Sequence, residues 1–292
     1  MSDIYRSDAG ARLLRERYLK ELEFWPVENE RLHVPTPEGE TFVIASGPAT
    51  APPLVLLHGS GGNSTQWLDR ISDLATRFRV YVVDVIGEPG LSAPSRPPLR
   101  SDKYAVWLDA VLDFLELERV SIMAISFGGW LALDYATRRP ERVRRLALSC
   151  PAGVGRAKKG FLVKAILLNL LGRRGRRMSV AGVLGPGLST LEPAVVTRVI
   201  EQVQLVSRNF RFRPGDVPVF GDDVLRELTM PVHVLVGAQD VMFDAGETKR
   251  RLEAAAPHAT VRLLPGVGHF VPARPDEELE FLTSAEQGER HA

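Results

Sequence analysis

A single cysteine, Cys150, in 292 residues excludes an intramolecular disulfide framework and offers no thiolate cluster for a metal. An excess of one charge is missing as well. Lys and Arg total 37 against 36 Asp and Glu, so no global imbalance points to nucleic acid. The longest apolar run, FLVKAILLNLL, is interrupted by Lys164 and falls far short of the roughly 20 helical residues that cross a bilayer. The opening stretch MSDIYRSDAGARLL has neither the apolar segment nor the small-residue cleavage site of a secretory signal. These absences lead us to expect a soluble, cytoplasmic chain with no nucleic-acid partner and no integral membrane segment. They set no oligomeric state.

Apolar residues, by contrast, are plentiful. Hydrophobic residues make up 45% of the chain, enough for one large domain with an insertion or for two modest ones. Residues 8–25 read as an amphipathic helix, with Ala11, Leu14, Tyr18, Leu22 and Trp25 at helical spacing. Two strands follow, around RLHV and TFVIAS, joined by the turn-rich PTPEGE. Short β-branched runs then alternate with helical patterns: LVLLH, a helix near 64–77, VYVVD, a helix at 102–116, VSIMAI, and a helix from Phe127. Further strands read as RLALSC, VHVLVG and VRLLP. Continuous apolar strands that alternate with helices predict a mostly parallel, doubly wound α/β sheet covered on both faces.

The rhythm breaks between Pro151 and about Leu228. The expected division is a helical segment in 1–30, an α/β core in 31–151 and 229–292, and a helical insertion in 152–228. Such an insertion would lie over the C-terminal edge of the sheet, where open α/β sheets place ligands. From Ala152 to Leu191 it carries eight Lys or Arg and no acid. A solvated helix face with an exposed GRRGRR turn (Arg173, Arg174, Arg176 and Arg177) accounts for this. A basic surface that attracts anionic substrates or acidic membranes is the alternative.

In MAISFGG, Ser126 falls between a predicted strand and a predicted helix. A sharp strand-to-helix turn strains the backbone at the serine and lifts its Oγ above the sheet edge. Small residues are needed two positions either side; Gly128 supplies one and Ala124 the other, giving A-x-S-x-G. Alone, that match leaves Ser126 as either a loop hydroxyl or a nucleophile. A nucleophile needs a base. Of six histidines, His233 and His33 lie in strands, His258 in a polar turn and His291 in the tail. His269, in LPGVGHFVP, sits on a Gly-flanked loop just past the last strand. Asp240 ends VHVLVGAQD on the preceding strand and could fix the imidazole tautomer. Asp244 is a substitute four residues on, and Asp84 also ends a strand but precedes the serine. The turn in LLHGSGGN, with His58, Gly59 and Gly61, could aim the Ser60 N–H beside that of Phe127 to form an oxyanion hole. Its spacing matches neither G-x-x-x-x-G-K-[ST] nor G-x-G-x-x-G, which argues against nucleotide phosphate.

The ordered set HGSGG, AISFGG, GAQD, GVGHF resembles the α/β-hydrolase family, in which Ser, Asp and His follow in that order. The resemblance covers about residues 38–283. It implies the α/β-hydrolase fold, a helical cap at 152–228 whose apolar side chains, such as Phe161, Leu167, Leu168 and Leu171, divide between cap core and acyl pocket, and no metal or organic cofactor. DVIGEPGLS looks like the family's D-x-x-G-x-G-x-S with one extra residue, which leaves Glu88 and Pro89 without a role. Family members that make alkyl-enzyme esters place aspartate at the elbow, whereas this chain has Ser126. The implied activity is hydrolysis of carboxylic esters of small or medium apolar acyl groups. A C–C bond hydrolase, lactonase or thioesterase using the same three residues, or a ligand-binding protein with negligible turnover, stays open.

Overall fold

The computed structural model describes residues 4–158, 160, 172–186 and 192–284. Eight strands form one sheet in the order β1-β2-β4-β3-β5-β6-β7-β8. They are β1 (Asn29–Val34), β2 (Thr41–Ser46), β3 (Pro53–Leu57), β4 (Arg79–Val83), β5 (Val120–Ile125), β6 (Val143–Ser149), β7 (Val232–Gly237) and β8 (Thr260–Leu264). β1 and β2 form an antiparallel pair, β2 runs antiparallel to β4, and from β4 to β8 every pairing is parallel. This is the α/β-hydrolase arrangement that the motif order implies.

Alternation along the strands divides the core into two layers. Val55, Leu57, Ile122 and Ala124 face one side, with helices α3 (Lys103–Phe114) and α4 (Phe127–Arg138). Leu54, Leu56, Val80, Val82 and Met123 face the other, with Trp67 and helix α1 (Asp8–Leu22). Helix α1 begins where Ser7 Oγ accepts the Gly10 N–H at 3.1 Å, and buries Leu14, Tyr18 and Leu22. Pro26 lies four residues beyond its end and prevents a continuation, since the residue before proline is driven out of the helical region.

Three expected elements differ. The helix expected near 64–77 is a 3₁₀ turn, Ser64–Trp67, followed by the single-turn α2, Ile71–Leu74. Asn63 caps the first turn through the Thr65 N–H, and Asp84 holds Ser64 from the sheet edge. A straight helix would pull both apart. The first helix stops at Leu22 rather than residue 25, with Trp25 turned back to donate to Ser46 Oγ at 3.1 Å. GRRGRR is not a turn: it opens helix α5, Gly172–Leu184. Arginine is a good helix former, and an internal glycine costs only about 1 kcal/mol.

Helix α5 packs against α6, Pro193–Asn209. Helix α1 in turn packs on α6, where Leu14 and Ile4 meet Val206 and Phe210. A short bridge pairs Tyr5 with Phe210. The last turn within 152–228 is α7 (Asp222–Leu225); α8 (Ala245–Ala255) and α9 (Pro275–Thr283) follow it. No described helix is long and apolar enough to cross a membrane. Phe161, Leu167, Leu168 and Leu171, expected to divide between cap core and pocket, lie outside the described residues.

Candidate active site

The chain leaves β3 towards β4 on one side, and leaves β5 towards β6 on the other. Their adjacent C-terminal ends therefore form the crevice where open α/β sheets bind ligands. Ser126 stands at the end of β5 with φ 53° and ψ −110°. A non-glycine residue there carries strain of about 1–3 kcal/mol. Its backbone is pinned on both sides: the Ser126 N–H donates to Ser149 O at 3.0 Å, and its carbonyl accepts from Trp130 N at 3.1 Å and Ala152 N at 3.0 Å. Gly128 is needed because a Cβ there would lie 2.3 Å from Leu57 O and 2.6 Å from His58 O. The crowding comes from the end of β3 rather than from the serine's own strand. Ala124, on β5, is fully buried.

The structure brings Ser126, His269 and Asp240 together. His269 Nε2 lies 3.0 Å from Ser126 Oγ, and Nδ1 lies 2.8 Å from Asp240 Oδ2. Asp240 Oδ1 accepts the N–H groups of Met242 at 2.7 Å and Phe243 at 3.2 Å. Burial alone would raise the Asp240 carboxyl, but these bonds and His269 outweigh it and hold it below the usual range. For His269, burial favours the neutral ring, while Asp240, assisted by Cys150, outweighs burial and raises its affinity for a proton. That ordering leaves Asp240 ionised and able to stabilise an imidazolium. Asp244 is elsewhere: it caps α8 by accepting the Glu247 N–H at 2.9 Å.

The HGSGG segment forms a tight turn beside Ser126. Gly62 N–H donates to Gly59 O at 3.1 Å, and Gly61 has φ +71°. That is the backbone of a type II turn, whose third residue favours glycine. His58 is fully buried and its role is structural: Nε2 accepts from Val85 N and Nδ1 donates to Gly59 O, both at 2.9 Å. Burial lowers its pKa and keeps it neutral. Because a trans peptide points C=O and N–H in opposite directions, anchoring Gly59 O from behind turns the Ser60 N–H outward. Among the described residues, neither that N–H nor the N–H of Phe127 is engaged by a protein acceptor.

Three further groups, given no site role by sequence reasoning, border the site. Asp84 is fully buried; its Oδ1 accepts from Tyr18 OH at 2.9 Å, Ser64 Oγ at 2.6 Å and Ser64 N at 2.9 Å, and its Oδ2 from Leu91 N at 2.8 Å. Glu88, also buried, accepts the Gly61 N–H at 2.6 Å. Cys150, with φ 43°, lies behind His269. Cys150, Asp240 and His269 present donor atoms within 4.8 Å of one another, but both His269 nitrogens already have protein partners.

Residues 54–280 match the model of the alpha/beta hydrolase family. The chain is 32% identical over 289 residues to an uncharacterised carboxylesterase, nap, of Bacillus subtilis, covering 97% of this chain and 95% of that protein. It is 29% identical to carboxylesterase YbfK of the same organism, covering 88% and 87% of the two chains. The crystal structure of Bacillus subtilis carboxylesterase CesB (YbfK) superposes with a TM-score of 0.78 at 27% identity, covering 94% of this chain and 99% of that one. Similarity to carboxylesterases thus extends over nearly the whole chain, and the chain belongs to the alpha/beta hydrolase family.

Proposed function

We propose that this protein hydrolyses carboxylic esters through an acyl-enzyme intermediate, with Ser126 as nucleophile, His269 as base and Asp240 as its orienting acid. The observation that carries the reading is the continuous contact from Asp240 through His269 to Ser126, at 2.8 and 3.0 Å, on a strained strand-to-helix turn. Ser126 Oγ attacks the ester carbonyl carbon while its proton passes to His269 Nε2. The carbonyl π-pair moves onto oxygen, where the N–H groups of Ser60 and Phe127 receive it. Collapse of this adduct breaks the bond to the alcohol, which leaves with the proton from His269. Water, deprotonated by the same nitrogen, then attacks the acyl carbon and releases the acid with Ser126 restored.

The substrate is a small ester with a small or medium apolar acyl group. Phe212 and Val206 stand against Gly61, and Phe243 lies 5.5 Å from the His269 ring. The described residues within 152–228 serve as the cap: Leu184 O accepts the Phe270 N–H at 3.1 Å, directly beside His269. Among the described residues, 31–151 and 229–284 form the core, and 4–30 lean on it and on the cap.

A fluorophosphonate probe tests the nucleophile, and a panel of acyl esters, lactones, thioesters and C–C bond substrates tests the bond cleaved. Ser126→Ala and His269→Ala should each lower ester turnover by several orders of magnitude, with a double mutant little worse than either. Near-normal turnover by folded Ser126→Ala would refute the assignment. Preference for another bond in the panel would replace ester by that bond.

A further inference from the structure

Glu88 has no part in the chemistry described above, yet its carboxyl lies directly behind the oxyanion turn. Only 1% of the residue is exposed. Oε2 accepts the Gly61 N–H at 2.6 Å and the Ser60 hydroxyl at 3.3 Å. The turn is therefore gripped at two successive peptides. His58 Nδ1–H and the Gly62 N–H hold the carbonyl of Gly59; Glu88 holds the N–H of Gly61. Between them lies Ser60, whose own N–H is the donor assigned to the oxyanion. A type II turn can convert to type I by rotating its central peptide, here the one joining Ser60 to Gly61. Only in one of the two orientations does the Gly61 N–H face Glu88.

We propose that Glu88 is a positioning residue for ester cleavage: by accepting both the Ser60 hydroxyl and the Gly61 N–H it fixes Ser60 on the side opposite its anchored Gly59–Ser60 peptide, and so keeps the N–H of that peptide aimed at the oxyanion. The proposal rests on the oxyanion role given to Ser60 above. It also accounts for the residue type. A carboxyl in this setting is costly, since burial pushes it up to about 7 against the pull of the Gly61 N–H, Arg96 and Arg213. Groups facing it are the guanidinium of Arg96, that of Arg213 (which donates to Tyr104 OH), the phenols of Tyr104 and Tyr5, and the Ser60 hydroxyl. Arg96 and Arg213 offset the carboxylate as seen from the oxyanion. What remains is an acceptor for an N–H, and a charge-assisted one, about twice as strong as a neutral acceptor.

Two near-isosteric variants separate this from a charge effect and from simple packing. Glu88→Gln keeps an oxygen that can accept the Gly61 N–H and removes the charge. Glu88→Met removes both and fills similar space. With a simple acyl ester at pH 8, Glu88→Gln should keep kcat within about threefold of the parent. Glu88→Met should lose about tenfold or more in kcat with KM changed by less than about threefold, because losing an oxyanion donor outright costs about 10²–10³. A trifluoromethyl ketone, which forms an oxyanionic adduct with the serine, should bind Glu88→Met more weakly by about the same factor. A purely structural role would lower the melting temperature and leave kcat and inhibitor affinity alone. Equal losses in both variants, or unchanged kcat in folded Glu88→Met, would overturn the proposal. If Glu88→Met does not fold, a tenfold loss of kcat in Glu88→Gln overturns it and retention supports it. Parent protein that neither reacts with fluorophosphonate nor cleaves esters would overturn the ester reading itself, and this proposal with it.

Discussion

Replacing Glu88 by glutamine should make the protein harder to unfold above pH 7, by an amount that fades as the pH is lowered. Burial moves the carboxyl from its ordinary 4.5 to about 7, so the folded chain holds this proton more tightly than the unfolded chain. Between those two values the folded state binds more protons, and stability falls as pH rises through the window. Above pH 7 the folded protein must carry a buried carboxylate that the unfolded chain exposes to water. The difference amounts to roughly 3 kcal/mol at 1.36 kcal/mol per pH unit. Glutamine cannot ionise and is free of this cost. Urea denaturation of both proteins from pH 5 to 9 would measure it. Every other titrating group, His269 and Asp240 included, is common to both, so it drops out of the difference between the curves. That difference should be small at pH 5, widen through pH 6 and 7, and level off near 3 kcal/mol above pH 8. A constant offset would show that Glu88 ionises normally in the folded protein, and a gap that narrows with rising pH that its carboxyl lies below its ordinary range; either would refute the reasoning.

Asp240→Asn should lower kcat by about 10⁴ with KM nearly unchanged, because the amide can stabilise the wrong tautomer of His269. The acid limb of the residual activity should also move to lower pH, since the carboxylate that raises the histidine is gone; an unmoved limb would contradict that. Asp244→Asn, by contrast, touches only the cap of α8 and should cost well under 1 kcal/mol, asparagine being an equally good cap. If Asp244→Asn were the crippling change, the acid would have been misassigned. Gly128→Ala should destabilise by about 1–3 kcal/mol, as for an overpacked core, because the added methyl would sit 2.3 Å from Leu57 O. It should also impair Ser126 by tilting α4, and a stable, fully active Gly128→Ala would show that the elbow relaxes at little cost.

Much of the fold is legible because the strands are short apolar runs bounded by turn residues. TFVIAS, VSIMAI and VHVLVG coincide with β2, β5 and β7 residue for residue. Ser126, Asp240 and His269 could be picked out for the same reason: each follows a strand of the parallel sheet, and such strands deliver their loops to one edge. Asp84 obeys the same rule and illustrates its limit. Position marks it as a site acid, but its contacts with Tyr18, Ser64 and Leu91 make it a structural anchor. Glu88 could not be placed at all, since its partner is a backbone N–H on a different loop, and backbone donors leave no mark in a sequence. The segment 64–77 misled for a related reason. Its apolar spacing suits a helix, but Arg70 turns inward to Val271 O and Glu278, far along the chain, and tertiary contacts of that kind override local periodicity.

Asp84 and Glu88 belong to one loop, and together they explain why the extra residue in DVIGEPGLS can be accommodated. Asp84 ties the start of that loop to Ser64 and to the N–H of Leu91, and Ser92 Oγ closes it on Asp84 O at 2.6 Å. With both ends fixed, residues between them must bulge. The bulge is directed at the neighbouring turn, where Glu88 takes the Gly61 N–H and Pro89 O takes Asn63 Nδ2–H at 3.2 Å. Asn63 in turn caps the segment that Asp84 holds. Each loop thus satisfies backbone or side-chain donors of the other, and few of these groups could rotate alone without leaving a buried polar atom unpaired, at a cost of about 1–3 kcal/mol. The Ser60 side of the site is held firmly for that reason, and apart from the Phe127 N–H it is built from the chain before Ser126. The acid–base side comes wholly from the chain after it, through β7 and β8. Ser126 joins the two halves, and its strained backbone is held by β6 as well as by its own helix.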